Sequence, residues 1–304
     1  MFGVNRQVYY RKIKAKRKRQ TIAEQVIKLV LPIRSRMPRI GTRKLYHLLE
    51  DRLELLQVGR DKLFSILKAN HLILYPKRNY RVTTNTHHRF YKHKDLIKEL
   101  SINHPEQVWV SDITYVNCCH NNTYLALITD AYSKKIVGYD LSDSLNTSGV
   151  LRSLQMAVKT REYPKTTLIH HSDKGIQYCS VDYQALLLKN KIVCSMTESY
   201  DPYSNAVAER INGIIKNEFE LETYKINIHA MQALVAESIH IYNTERPHFS
   251  SHLLTPNQMH QQQTIKLKTY KTKKTVADMC RQLFNLIYFY PINPYRFFRT
   301  TQSL

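Results

Sequence analysis

Three acidic residues lie in a predicted strand, at the end of another strand and on a predicted helix, and together they suggest metal-ion chemistry. Asp112 lies within the apolar, β-branched run 109–116, which predicts a strand. Asp173 follows a later predicted strand, and Glu209 lies early in a predicted helix. Carboxylates brought together without cations would raise one another's pKa, and divalent metal removes that cost. Oxygen ligands suit Mg²⁺ or Mn²⁺, and two such ions about 4 Å apart can stabilise an in-line phosphoryl displacement.

The charge of the chain is divided into three parts. The 304 residues carry a formal net charge of +22. Residues 1–100 hold 25 Lys and Arg against 7 Asp and Glu, residues 101–263 hold 13 against 16, and residues 264–304 hold 8 against 1. A basic domain is typical of a polyanion binder. Basic flanks that hold nucleic acid around an acidic centre that holds metal ions would explain this distribution.

The composition disfavours several other classes of protein. Hydrophobic residues make up 43% of the chain, which excludes wholesale disorder. No apolar run approaches the roughly 18 residues of a membrane span, so we expect no membrane partner. The five cysteines form no CxxC pair, which fits a reducing cytoplasm better than a disulfide scaffold or a cysteine zinc site.

The elements that must position the carboxylates follow from periodicity. Residues 105–263 predict the order β-β-β-α-β-α-β-α-α, which is an α/β mixed sheet, antiparallel first and parallel later, with helices on its faces. On the helix that carries Glu209, the side chains of Asn212 and Lys216 lie along the same edge. Asp130, at the end of the second strand, is expected to cap a turn or to lie near the metal ions.

The segment 21–75 predicts compact helices with basic outer faces. One helix runs from Thr21 until Pro32 ends it, Thr42 could cap the next, and a further helix follows a connection over 52–59. This pattern suits a helix-turn-helix DNA-binding domain, and a plain three-helix bundle fits it about as well.

Three basic segments lie outside these two domains. Residues 1–20 include seven Lys or Arg among the nine positions 11–19, which predicts a flexible phosphate-binding arm. Residues 76–104 interleave basic and aromatic side chains, and could follow phosphates and stack on bases or be a solvated linker. Residues 264–304 form a basic, aromatic tail whose role the sequence leaves open.

Several segments resemble, in order, the DDE transposases of bacterial insertion sequences, specifically the second-frame (OrfB) product of the insertion-sequence-three family. Thirty-five residues separate Asp173 from Glu209, which is the spacing of this family and of retroviral integrases, and Lys216 occupies the basic position seven after the glutamate. Upstream, segments 41–44 and 58–62 resemble the family's helix-turn-helix. The other matching segments are 109–116 (WVSDITYV), 126–138, 171–178 (HSDKGIQY), 205–216 (NAVAERINGIIK), 242–248 (YNTERPH) and 254–257 (LTPN).

The resemblance implies an RNase H-like mixed five-stranded sheet flanked by helices, which forms an integrase catalytic core over 105–263 and follows an all-α helix-turn-helix domain. It implies that Asp112, Asp173 and Glu209 bind two Mg²⁺ ions, for which Mn²⁺ can substitute. The expected reaction is cleavage at the terminal inverted repeats of an element, followed by transfer of the 3′-OH to target DNA. Members of the family act as homo-oligomers, often with a first-frame (OrfA) partner or fusion. The resemblance to bacterial insertion-sequence proteins also predicts a cytoplasmic, nucleoid-associated bacterial protein.

Basic or polar side chains near these motifs are the expected DNA contacts. Two other functions stay open at this point, namely an RNase H-like nuclease or resolvase that does not join DNA, and a catalytically silent DNA-binding regulator. The expected contacts are Arg43, Lys44, Arg60, Lys62, Lys174, Arg210, Asn212 and Lys216.

Overall fold

The computed structural model describes residues 5–75, 93–97, 100–118, 121–197 and 205–267. Most of the predicted linker over 76–104 and nearly all of the predicted tail over 264–304 lie outside these residues. The predicted roles of both segments therefore stay predictions. Within the described ranges, no helix combines the length and apolar composition that crossing a membrane requires.

A mixed five-stranded sheet forms the centre of the described residues beyond 100. Its strand order is β3-β2-β1-β4-β5, in which the first three strands pair antiparallel and the last two run parallel to β1. This arrangement confirms the predicted RNase H-like sheet. The strands are β1 (Val108–Cys118), β2 (Asn121–Asp130), β3 (Ile136–Ser142), β4 (Leu168–Ser172) and β5 (Ile192–Met196).

Helices precede the sheet and cover both of its faces. The helices before the sheet are α1 (Arg6–Arg36), α2 (Thr42–Leu48), α3 (Glu50–Leu55) and α4 (Arg60–Ala69). Those after its first strands are α5 (Thr147–Lys159), α6 (Val181–Lys189), α7 (Ala206–Glu218), α8 (Ile228–Thr244) and α9 (Pro256–His260), with 3₁₀ turns at Leu221–Thr223 and Phe249–Ser251.

Alternating side chains of β2 show which helices cover which face of the sheet. Leu125 and Leu127 belong to the apolar cluster that includes α7, α8 and the helices before the sheet. Ala126 and Ile128 belong to the opposite cluster, with α5 and α6. Asp112 is directly opposite Leu127 in the β1–β2 ladder, so its side chain lies on the α7 face.

The first helix extends beyond the sequence prediction at both ends. Residues 6–36 form one helix, so the predicted flexible arm is helical over its described part. The reason is local, because residues 6–31 contain no Gly or Pro and are rich in the strong helix formers Lys, Arg and Gln. Pro32 does not end the helix, since Ile33 and Met37 continue to pack on the same apolar cluster and outweigh the local cost of proline.

The short helices that follow also differ from the prediction. Gly41, and not Thr42, is the N-cap of α2. The segment predicted as a connection contains most of α3, because Leu53 is fully buried in the apolar core.

The helices before the sheet are joined to α7 and α8 by an ion-paired contact at Glu218. Both carboxylate oxygens of Glu218 accept guanidinium N–H groups of Arg246, each at 2.7 Å, and the ammonium of Lys44 lies 3.3 Å from one of them. Burial and then the charge of Arg246 lower the pKa of Lys44 to about 8. Lys44 is buried in this contact, and its role in DNA binding stays a prediction.

A buried polar network connects α9 to the β2–β3 turn and to the segment before β1. Asp130 accepts the backbone N–H groups of Ser133 and Glu106, both at 2.7 Å, which confirms its predicted role in a turn. The imidazole of His260 lies 3.7 Å from the carboxylate of Glu106 and 3.8 Å from that of Asp130. These carboxylates outweigh the effect of burial and raise the pKa of His260 to about 9.

Removing the charge of Glu218 should destabilise the protein far more than removing that of a neighbour. Glu218→Gln leaves Lys44 and Arg246 buried without a counter-charge, so we expect the free energy of unfolding to fall by about 3 kcal/mol. Glu220→Gln is the matched control, because Glu220 pairs at 3.4 Å with Arg39, which is more exposed than Lys44 and Arg246, and we expect a loss below about 1 kcal/mol. Urea unfolding followed by the fluorescence of Trp109, the single tryptophan, measures both, and equal losses would contradict the prediction.

The pKa of His260 makes stability depend on pH in a defined direction. The folded-state pKa of about 9 lies above the usual value of 6.5, so the stabilisation is complete below pH 6.5 and is lost as the pH rises through 9. That gap corresponds to on the order of 3 kcal/mol. In urea titrations across this range, the free energy of unfolding of the wild type should fall by that amount relative to His260→Gln. Parallel pH profiles for the two proteins would show that the network does not act in this way.

Candidate active site

Strand register brings the first two acidic residues next to each other. The parallel pairing of β1 with β4 ends at Ser111 opposite Ser172. Asp112 directly follows Ser111, and Asp173 directly follows Ser172. The two aspartates therefore lie side by side, because neighbouring strands are about 4.8 Å apart. The sequence placed Asp112 in a strand and Asp173 at the end of one, and the register explains why the two meet.

Helix α7 is attached to β1 by two asparagine side chains. The amide of Asn205, the N-cap of α7, donates to the carbonyl oxygen of Ser111 at 3.0 Å. The amide of Asn212 donates to Oδ2 of Asp112 at 2.8 Å. Glu209 lies between these two residues, four positions after the first and three before the second, so it is on the helix face that is directed toward Asp112.

The charges of the three carboxylates act on one another. Burial, followed by the charge of Asp173 and then by that of Glu209, raises the pKa of Asp112 to about 7. The hydrogen bonds from Asn212 and from the backbone N–H of Ile113, at 2.9 Å, act in the opposite direction. The pKa of Asp112 therefore lies close to neutral pH, although two donors favour its charged form.

The acidic residues are gathered but do not form a closed cage. Among the described residues, no group of three or more His, Cys, Asp or Glu side chains is arranged so that it could hold a metal ion. Glu209 is exposed at the surface of α7, while Asp112 and Asp173 are half-buried. The donor set nevertheless fits a divalent cation, because three oxygen-bearing groups place excess negative charge around Asp112.

The loop after β4 fixes Asp173 from its own side. Oδ1 of Asp173 accepts the backbone N–H of Gly175 at 3.1 Å, and a Cβ at position 175 would lie only 3.0 Å from that oxygen. The buried hydroxyl of Tyr178 lies 2.9 Å from Oγ of Ser111 and so connects the loop to β1. Sequence reasoning missed these supporting residues, although the glycine two positions after the aspartate was a visible signal.

The structure divides the predicted DNA contacts into exposed residues and residues with internal partners. Asn212 is buried against Asp112, and its contact with DNA stays a prediction. Lys216 forms an ion pair with Glu222 at 2.9 Å, and Lys174 is half-buried. The remaining predicted contacts are exposed, namely Arg43, Arg60, Lys62 and Arg210.

Comparison with known proteins gives matches over the same residues. Two family models, each described as an integrase core domain, match residues 102–202 and 190–256. The chain is 32% identical over 255 residues to the 31 kDa protein of insertion element IS600 from Shigella sonnei, a match that covers 82% of this chain and 92% of the relative. It is 34% identical over 155 residues to the transposase InsF for insertion sequence IS3A from Escherichia coli, covering 51% and 54% of the two chains.

A solved structure is similar to about half of the chain. The HTLV-2 integrase catalytic core domain in complex with magnesium gives a TM-score of 0.42 at 17% identity, covering 52% of this chain and 98% of that one. The two family models include all three acidic residues, and the match to the IS600 protein extends over most of both chains. The chain therefore belongs to the DDE transposases of bacterial insertion sequences, of the insertion-sequence-three type with an integrase-like core, and is a polynucleotidyl transferase.

Proposed function

We propose that Asp112, Asp173 and Glu209 are the catalytic metal ligands with which this transposase cleaves the ends of an insertion sequence and joins them to target DNA. The observation that supports this most directly is the pKa of Asp112, which burial raises first and the nearby charges of Asp173 and Glu209 raise further. A cluster with this excess of negative charge gains stability from a divalent cation. The raised pKa also argues against a purely structural role, for which an apolar residue in β1 would suffice.

The metal proposal follows from the chemistry of the three side chains. All are carboxylates, which suit Mg²⁺ and accept Mn²⁺ as a substitute. We propose two ions, which when bound stabilise the attacking and leaving oxygens of the phosphoryl transfer. In the first reaction water attacks a phosphodiester and the bond from phosphorus to the 3′ oxygen breaks, which leaves a 3′-OH end and a 5′-phosphate. In the second, that hydroxyl attacks a target phosphodiester, forms a new phosphodiester bond and releases a target 3′-OH.

Asn212 is the positioning residue of this site. Its amide donates to one oxygen of Asp112 while the backbone N–H of Ile113 donates to the other, so both oxygens have a fixed direction. Both bonds also lower the pKa of Asp112 and favour the carboxylate that a metal ion requires. Because Asn212 and Glu209 are on the same helix, the two ends of the site keep a constant separation.

DNA would contact two sets of basic residues. The exposed side chains of Arg43, Arg60 and Lys62 in the helices before the sheet are suited to the terminal inverted repeat. Near the triad, Arg210, Lys174 and Lys216 are suited to phosphates. Lys216 would exchange its ion pair with Glu222 for a phosphate.

Assembly and location extend the same proposal. We expect a homo-oligomer that holds two element ends, with a first-frame (OrfA) protein as partner or fusion. We expect it to act in the bacterial cytoplasm at the nucleoid. The membership of the chain in the family supports both expectations.

Replacing the acidic residues tests the chemistry. Asp112→Asn, Asp173→Asn and Glu209→Gln should each reduce cleavage and joining in Mg²⁺ by more than about a hundredfold, because each removes a metal ligand. DNA binding should survive in all three. Asp182→Asn, which alters an exposed carboxylate at the start of α6, is the matched control and should keep full activity. A labelled element end incubated with target plasmid gives the readout, and joining retained by the three variants would reject the assignment.

Replacing the positioning residue should change the need for metal. Asn212→Ala leaves Asp112 without its amide donor, so we expect the Mg²⁺ concentration for half-maximal cleavage to rise about 10–100-fold, with recovery of activity at high Mg²⁺. Asn217→Ala alters an exposed asparagine of the same helix and should leave that concentration unchanged. Equal Mg²⁺ requirements for the two variants would show that Asn212 does not act through Asp112.

A further inference from the structure

The N-terminal half of α1, residues 6–19, is a strongly basic helix that the proposed chemistry does not use. It contains eight Lys or Arg and no Asp or Glu. Every one of these basic side chains is exposed. They are Arg6, Arg11, Lys12, Lys14, Lys16, Arg17, Lys18 and Arg19.

The basic residues surround this helix and do not form a single charged face. At 3.6 residues per turn, positions 6, 11, 12, 14, 16 and 19 point in different directions around the helix axis. A helix that lies on a flat anionic surface needs cations on one side only. Cations around the whole circumference suit a groove that has phosphates on both walls. Arg6 and Arg17 lie on the same side of the helix as Tyr9, Tyr10 and Ile13, so no uninterrupted apolar stripe forms, which disfavours a coiled coil or a membrane-surface helix.

The charges of this segment are unbalanced within the protein itself. Lys12 and Lys16, and likewise Lys14 and Lys18, are four residues apart, where like charges repel. The first turn of α1 contains no acidic residue, although the N-terminal end of a helix favours negative charge. An external polyanion would supply the missing counter-charge.

We propose that residues 6–19 of α1 form a binding site for duplex DNA, with the helix lying in the major groove between two rows of phosphates. This inference rests on the proposed function and adds a contact to it. The major groove of B-DNA is about 12 Å wide and admits a helix, whereas that of duplex RNA is too narrow. A segment of 14 residues is about 21 Å long, so it would follow the groove for about six base pairs.

The remainder of α1 holds this helix in a fixed direction. Val26 and Val30 are fully buried in the apolar core, and no Gly or Pro interrupts residues 6–31. The basic segment is therefore a rigid extension of the folded helices and moves with them. Its contacts to phosphates would strengthen binding to any duplex and would not read sequence.

The test compares two sets of substitutions with the same change in net charge. In the full-length protein, Lys12, Lys14, Lys16 and Lys18 are replaced together by Gln, which keeps helix propensity. The control replaces Lys159, Lys165, Lys189 and Lys191 by Gln. These control residues are exposed, and those that precede β4 and β5 lie at the end of the sheet opposite Asp173.

Fluorescence anisotropy of a labelled duplex of arbitrary sequence, over a series of KCl concentrations in EDTA, gives the salt dependence of binding without catalysis. The slope of log affinity against log salt should become shallower by about 3 to 4 in the arm variant, because each lost phosphate contact accounts for about 0.9. The control should change it by less than about one. Equal slopes for the arm variant and the wild type would overturn the proposal.

A further variant separates a groove-bound helix from a flexible basic arm. Ala15→Pro keeps every charge but interrupts the exposed helix, and we expect its slope to become shallower as well. An unchanged slope for this variant, with the fluorescence of Trp109 unchanged, would overturn the groove-bound helix. Tighter binding to duplex RNA than to duplex DNA would overturn the choice of partner. A wild-type protein that binds no DNA at all would instead reject the proposed function.

Discussion

A carboxylate on the central strand of a sheet loses most of the water that would stabilise its charge, and the structure around Asp112 follows from this constraint. Burial and the charges of Asp173 and Glu209 favour the neutral form, while the amide of Asn212 and the backbone N–H of Ile113 favour the charged one. The opposing effects bring its pKa to about 7. A single positive charge nearby would lower the pKa of Asp112 and favour its charged form. This is the behaviour expected of a metal ligand in the absence of its ion.

The same constraint explains how basic residues are arranged near the site. An ion pair between a triad carboxylate and a lysine or arginine would neutralise the triad internally and compete with a metal ion. The structure instead pairs two lysines close to α7 with other carboxylates, Lys216 with Glu222 and Lys44 with Glu218. Arg210, which directly follows Glu209, is exposed, and other basic side chains are exposed farther away, on α4 and along the first half of α1. Ion pairs thus hold these two lysines to carboxylates outside the triad.

The sequence predicted well what depends on local pattern. Alternation and helical periodicity placed every strand of the sheet and the helices α5 to α8, because each of these elements buries a face that repeats with its own period. The interruption expected at Pro32 failed because packing on both sides of it outweighs the local effect. The connection over 52–59 failed because a single buried leucine, Leu53, is too little pattern to reveal a six-residue helix.

Periodicity could not predict which side chains contact each other in the folded protein. Glu209, Asn212 and Lys216 were visible along one edge of α7, but which of them faces β1 depends on how the helix is rotated on the sheet. The partner of Lys44 is Glu218, 174 positions later, and no local signal connects the two. Motif resemblance suggested DNA contact for both Lys44 and Asn212, since it records residue type and position without recording which side is buried.

Helix α7 connects the candidate active site, near its first residues, to the helices before the sheet, near its last residue. Near its start it carries Glu209, and at its last residue it carries Glu218, to which Lys44 and Arg246 are bonded. The two glutamates are nine positions apart, which corresponds to about 14 Å along a helix whose hydrogen bonds keep its length constant. The position of α2 relative to the triad is therefore fixed by one rigid element and one buried ion pair. DNA bound to the exposed face of the neighbouring α4, as proposed, would be held at a set distance from the site of cleavage, so Glu218 contributes to the geometry of the reaction without touching the substrate.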